Sequence, residues 1–266
     1  MQLQNLDPAL IKVPFVITLF FWAIKILATT VGETGADYLI FNLHLGLPAT
    51  SWVMGILLAV VLTAQIRATR YTPWLYWVSV VMVSIVGTLL TDNLTDNLGV
   101  PLIASTLGFG IALIATFVVW YRVEGSLSIH SIASLRRELF YWAAILFTFA
   151  LGTAAGDLLA ESVGLGYATS ALIFAGAIAL ITAGFYGFRL NGVLSFWLAY
   201  IITRPLGASM GDFLSQPVAD GGLGLGTVTT SMLFLIAITG LVAYLTLSRT
   251  DAAPTAARLP ITEQEA

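Results

Sequence analysis

Apolar residues come in eight long runs, near 13–33, 47–66, 74–92, 100–121, 139–157, 163–185, 193–213 and 223–247. Each run matches the roughly 20 residues that an α-helix needs to cross the hydrocarbon core of a bilayer. The pattern predicts an all-α membrane protein of eight transmembrane helices. The first run carries Lys25 and leads into a polar motif, so it reads as a retained span rather than a cleaved leader. The final stretch, 249–266, is rich in Ala, Pro and Thr and reads as a mobile cytoplasmic tail behind a single membrane domain over 1–248.

Composition agrees with that reading. The chain is 58% hydrophobic and 9% charged, with a formal net charge of -3 and no cysteine. So little charge suits several membrane spans. The negative balance argues against nucleic acid as a partner, and the lack of cysteine excludes disulfides and thiolate metal sites. Lys12, Arg67, Arg70, Arg122, Arg136, Arg137, Arg189, Arg249 and Arg258 fall in the termini or in the connections from even to odd spans. The positive-inside rule then places both termini in the cytoplasm. Only Lys25 and Arg204 lie inside spans.

A short phrase recurs four times. It reads Ala28-Thr29-Thr30-Val31-Gly32-Glu33 with Asp37 following, then Gly87-Thr88-Leu89-Leu90-Thr91-Asp92 with Asp96. The third copy is Gly152-Thr153-Ala154-Ala155-Gly156-Asp157 with Glu161, and the fourth Gly207-Ala208-Ser209-Met210-Gly211-Asp212 with Gln216. Aligned in this way, Glu33, Asp92, Asp157 and Asp212 stand 59, 65 and 55 residues apart, the length of a two-helix unit. Four parallel two-helix repeats, about 13–70, 71–125, 138–189 and 190–248, are therefore expected around a pseudo-symmetry axis normal to the membrane. Trp77, Trp142 and Trp197 each precede a motif Asp by fifteen residues, while the first copy has Thr18 there and Trp22 four residues on. On these features the chain resembles a family of bacterial inner-membrane proteins made of four tandem two-span repeats with a tryptophan in each, whose function is not established. The resemblance implies the bacterial cytoplasmic membrane and no particular substrate.

The candidate chemistry is in the repeats. Residues four apart share a helix face, so Glu33 with Asp37, Asp92 with Asp96 and Asp157 with Glu161 form carboxylate pairs, and Asp212 pairs with Gln216. Thr29, Thr88, Thr153 and Ser209 add hydroxyls. Ionisable groups at membrane depth mark functional sites by default. Crowded carboxylates near helix C-termini require a bound cation or shared protons. Lys25 and Arg204, both eight residues before a motif acid, are placed to balance those charges or to bind an anion. Pro205 is expected to kink its helix.

Oxygen-only donors suit a hard cation, Mn²⁺ ahead of Mg²⁺ or Ca²⁺. With no nucleotide-binding motif, transport would be driven by a proton or ion gradient. The leading expectation is a divalent-cation transporter or exporter that needs no cofactor beyond the bound cation. Its partners would be the bilayer and an inorganic cation or small solute. The alternatives are a proton-coupled carrier of a small organic solute and a non-transporting sensor or scaffold. An enzyme is not expected, because no His, Cys or Ser nucleophile signature is present and the Gly-x-Gly-Asp signature of intramembrane proteases is missing. A plainer alternative is that the acids only cap helix ends, with Thr and Gly serving helix packing. Trp77, Trp142 and Trp197, near the starts of their spans, are expected to form an interfacial aromatic belt. His44 and His130 read as ordinary loop residues.

Overall fold

A computed structural model describes residues 11–252. Among them are eight long α-helices and no strand: α1 (Leu19–Asp37), α2 (Leu47–Arg67), α3 (Pro73–Asp92), α4 (Leu102–Glu124), α5 (Leu135–Asp157), α6 (Tyr167–Phe188), α7 (Gly192–Ser215) and α8 (Gly226–Ser248). Seven of them, α2 to α8, are long and apolar enough to cross a membrane. α1, which carries Lys25, Glu33 and Asp37, is not one of the seven.

Local sequence sets many of the boundaries. The Thr18 hydroxyl accepts from the Phe21 amide at the start of α1, and the Asn191 side chain accepts from two amides at the start of α7. Pro48 and Pro73 lie in the first turns of α2 and α3, where a missing N–H costs nothing. Gly46 and Gly166 enter α2 and α6 with φ of 72° and 75°, backbone that a side chain would strain. α1 begins at Leu19 rather than 13 and runs past Glu33 to Asp37. The π-helical turns Tyr38–Asn42, Asn93–Asn97 and Leu158–Ser162 then carry α1, α3 and α5 beyond their acids. α7 runs unbroken through Pro205.

The odd helices form the inside of the molecule. α1 packs on α3, α3 on α5, α5 on α7 and α7 back on α1, which closes a ring. Each even helix lies outside and packs chiefly on the odd helix of the following repeat: α2 on α3, α4 on α5, α6 on α7 and α8 on α1. The sequential helix pair is therefore not the spatial pair, and the last helix completes the first repeat. The outer helices turn Trp52, Ile111, Leu172, Leu180 and Ile236 to the surroundings. Apolar exposure on this scale exceeds what a water-facing surface carries and matches a lipid-facing one.

Two contacts recur at all four seams of the ring. Phe21, Tyr76, Tyr141 and Phe196 meet Trp77, Trp142, Trp197 and Trp22 of the next inner helix, with ring centroids 5.4, 5.8, 6.2 and 5.8 Å apart. One end of the ring is thereby filled with aromatic side chains. Trp77, Trp142 and Trp197 are buried there, which corrects the expected interfacial belt: their indoles face the neighbouring inner helix. Further along, Gly32, Gly87, Gly152 and Gly207 abut Ser84, Phe149, Arg204 and Thr29. A Cβ added to any of these glycines would stand 2.6 Å from the neighbour's Cβ.

These contacts correct the register of the first copy. The residues matching Asp92, Asp157 and Asp212 are Asp37 rather than Glu33, and Trp22 precedes Asp37 by the same fifteen residues. The four aspartates are 55, 65 and 55 residues apart. Glu33 instead shares a level with Thr88, Thr153 and Ala208, one turn deeper. Thr29 stands with Ser84, Phe149 and Arg204, and Lys25 with Val80, Ile145 and Tyr200. Lys25 and Arg204 are therefore not equivalent.

At the aromatic end the segment before α1 is tied across several elements. Lys12 donates to the Ile66 carbonyl at 2.6 Å and pairs with Glu138 at 3.1 Å. His130 contacts the Phe15 carbonyl at 2.8 Å, and the Asp251 carbonyl accepts from the amides of Phe15 and Val16. Asp251 is buried and receives the Tyr71 hydroxyl, so the expected mobile tail does not begin at 249. The remainder of that tail, 253–266, lies outside the described residues.

Candidate functional site: an acidic axis inside the helix ring

Along each inner helix, residues four apart fall on one stripe, so the ring interior is stacked in levels about 6 Å apart. From the aromatic end the first level holds Phe21, Tyr76, Tyr141 and Phe196. Above it come Lys25 with Tyr200, Arg204 with Thr29, then Glu33 with Thr88 and Thr153. The ring of Asp37, Asp92, Asp157 and Asp212 follows, and Asp96, Glu161 and Gln216 end the series. Exposure rises in the same order. Glu33 and Asp212 are buried, Asp37, Asp92 and Asp157 half-buried, and Asp96 and Glu161 exposed. The seven acids thus occupy three depths, not the single depth expected.

Arg204 is the hub. Its guanidinium is fully buried, and Nη2 pairs with Glu33 Oε2 at 3.0 Å. The same nitrogen donates to Thr153 Oγ1 at 2.6 Å and to Thr88 Oγ1, while Nη1 donates to the Thr29 carbonyl at 3.2 Å. One side chain of α7 therefore joins α1, α3 and α5. Breaking a buried ion pair of this kind by removing one partner costs about 3–5 kcal/mol. The Thr29 hydroxyl donates to Ile26 and Thr203 carbonyls, which ties α1 to α7. Arg204 thus pairs with a motif acid.

Lys25 does not. Its Nζ is wholly buried with no hydrogen-bond partner among the described residues, and no carboxylate reaches it. It lies 4.2 Å from the ring centroids of both Phe149 and Tyr200. Cation–π contacts of about 2 kcal/mol each when desolvated are its main support. The register explains the mismatch, since Lys25 sits one level deeper than Arg204 and two below Glu33.

Above Arg204 the carboxylates converge. Oxygens of Glu33, Asp157 and Asp212 lie within 4.8 Å of one another, drawn from α1, α5 and α7. Glu161 is bridged by the Tyr167 hydroxyl at 3.2 Å. Ser209 is buried, its hydroxyl without a partner among the described residues, and Gln216 is half-buried at the rim. Three of the four aspartates end their α-helices and lead straight into π-helical turns, a widening often found at functional positions. Three convergent carboxylate oxygens, with two more aspartates beside them, match the donor chemistry of a hard cation site.

Sequence reasoning found the acids, the threonines and Arg204, but missed the partition into levels and the roles of Phe149 and Tyr200. The signal was present in the Trp22 to Asp37 spacing.

A family model described as Repeat of Unknown Function (DUF347) matches the chain four times, at residues 20–71, 75–126, 140–190 and 195–251. All four matches begin two residues before a tryptophan, Trp22, Trp77, Trp142 and Trp197, which agrees with the register set by the seams. No curated protein and no solved structure matches the chain.

Proposed function

The chain belongs to the DUF347 family of repeats of unknown function, and from that premise and its acidic axis we propose a multi-pass transporter or exporter of a hard divalent cation, Mn²⁺ by preference. The observation that carries this reading is the meeting of Glu33, Asp157 and Asp212 oxygens inside the closed ring. Carboxylates from separate helices, brought together and partly withdrawn from water, suit a multiply charged cation better than helix capping. Capping would leave each acid at its own helix end. The donors are all oxygen, which favours Mn²⁺, Mg²⁺ or Ca²⁺ over softer metals.

In this reading α1 is the eighth span, with its charged residues turned to the ring interior and shielded from lipid by α8. The four repeats surround an axis normal to the membrane. In the same reading the aromatic end, where Arg67, Arg70, Arg122, Arg136, Arg137 and Arg189 cluster, faces the cytoplasm together with both termini, and the membrane is a bacterial inner membrane. The acids then face outward and the aromatic residues close the inner end. Opening one end while closing the other is the step that moves the cation, driven by a proton or ion gradient.

The test is Mn²⁺ flux into proteoliposomes, read by an enclosed quenchable dye, for the native chain and for Asp157→Asn with Asp212→Asn. The expected result is gradient-dependent flux that the double variant loses. Equal fluxes in both, or none in either, reject the reading. The buried Lys25 Nζ, without a partner among the described residues, favours one alternative, a proton-coupled carrier of a small organic anion. In that case Lys25→Gln would abolish anion uptake and leave Mn²⁺ binding unchanged.

A further inference from the structure

We propose that the oxygens gripping Arg204 form a monovalent-cation site that the protein fills with its own guanidinium, and that a hard cation of the Na⁺ class takes this place when Arg204 withdraws. Glu33 Oε2, Thr88 Oγ1 and Thr153 Oγ1 surround a single nitrogen, and the Thr29 carbonyl lies beside it. All four oxygens belong to α1, α3 and α5, and α7 supplies none of them. The two threonine hydroxyls lie within reach of helix carbonyls, Thr88 of Ser84 at 3.3 Å and Thr153 of Phe149 at 3.3 Å. Their hydrogens are thus engaged, and their lone pairs face the centre as acceptors. Glu33 is the one charged group of the cage. A single positive charge balances it, as the Arg204 guanidinium does now.

The tether is built to leave. Arg204 Nε is buried without a partner among the described residues, so the held arrangement leaves one donor unmet. Pro205 follows directly and removes a backbone hydrogen bond from α7 at that point. α7 lacks that backbone bond at the residue next to Arg204, so the tether's own helix is the one weakened there. Within the transport reading, on which this role depends, the cage binds the coupling ion and the aspartate ring above it binds the cargo. Entry of Na⁺ frees Arg204, and its return expels Na⁺.

The experiment measures ²²Na⁺ binding and thermal stability of the purified full chain at constant ionic strength, with N-methylglucamine replacing Na⁺. All variants carry Asp157→Asn and Asp212→Asn, which removes the two carboxylates that converge on Glu33. With Arg204→Met added, one Na⁺ per chain should bind about tenfold tighter than in the Arg204 parent, because the tethered competitor no longer occupies the cage. Stability should rise with Na⁺ in that variant alone. Arg204→Lys, which still fills the cage, should behave like the parent. Adding Glu33→Gln to Arg204→Met should abolish Na⁺ binding. A folded Arg204→Met protein without enhanced Na⁺ binding overturns the proposal, as does enhancement by Mn²⁺ but not Na⁺. So does an Arg204→Met protein that fails to fold in high Na⁺ while its Glu33→Gln derivative folds. Enhanced Na⁺ binding in these variants together with absent Mn²⁺ flux in the native chain would sink the transport reading and leave the cage assignment standing.

Discussion

Replacing Gly87 with alanine tests the ring seams directly. The added Cβ would stand 2.6 Å from Phe149 Cβ, 3.1 Å from the Ala150 nitrogen and 3.2 Å from the Phe149 carbonyl carbon. None of these atoms can rotate away. Non-bonded carbons prefer about 3.5–4.0 Å, so α3 and α5 must separate by roughly 1 Å. Overpacking of this size costs about 1–3 kcal/mol, which corresponds to a fall in Tm of roughly 2–12 °C for a chain of this length. Gly108, on outer helix α4, is the control, since a Cβ there meets nothing within 4 Å. Gly108→Ala should be neutral or stabilise by up to about 1 kcal/mol through helix propensity. The assay is thermal unfolding in detergent, followed by the loss of the monodisperse peak. Gly32, Gly152 and Gly207 share the 2.6 Å approach and should give losses of the same order. A Gly87→Ala protein as stable as the Gly108→Ala protein would mean that the inner helices do not meet as described. The acidic axis would lose its framework with them.

Two further outcomes follow from the closure of the ring and from its aromatic end. A chain ending at Leu225 lacks α8, which packs on α1 and joins it through the 2.7 Å contact between Thr34 and Ser231 hydroxyls. It should not yield a monodisperse protein, and co-expression of the missing segment should restore one; a well-behaved truncated chain would refute closure by α8. Burial pushes the Asp251 carboxyl above its ordinary range, against the pull of the Tyr71 hydrogen bond, while burial and the Asp251 charge push the Tyr71 hydroxyl up, so it remains a donor. Because the folded state holds the Asp251 proton more tightly than the unfolded state, this group's contribution is full below about pH 3.9 and declines as pH rises through the folded value. Asp251→Asn should flatten that decline in Tm measured from roughly pH 4 to pH 8, and parallel curves for the two proteins would refute the assignment.

The eight apolar runs, the four repeats and the convergence of the acids were legible because hydrophobic length and duplicated motifs are local properties of the chain. The pairing of α2 with α3 instead of α1 was not, since short connections permit either neighbour. The burial of Trp77, Trp142 and Trp197 was hidden for a related reason. Position near a helix start suggests an interface, but only the next inner helix decides which face of the indole is covered. The register slip in the first copy has a chemical origin. Thr29, Gly32 and Glu33 imitate the Thr, Gly and Asp of the other copies, so residue-type matching prefers them over the better spaced Trp22 and Asp37.

Correcting that slip separates two kinds of residue. The seam glycines, the tryptophans, their aromatic partners and the aspartate ring recur in all four copies, as the packing of a closed ring requires. Lys25, Glu33 and Arg204 each occur once, at levels where the other copies carry Val, Ile, Thr, Ser, Ala or aromatic side chains. Duplication accounts for a repeated residue without any further role. It does not account for a buried charge that appears in one copy and meets its partner from another. The Arg204–Glu33 pair and the solitary Lys25 break the sameness of the four units inside an otherwise uniform frame. A single axis with one distinguished side is what a step that moves one helix against three would need. α7, with Arg204 and Pro205 adjacent, is the helix so distinguished.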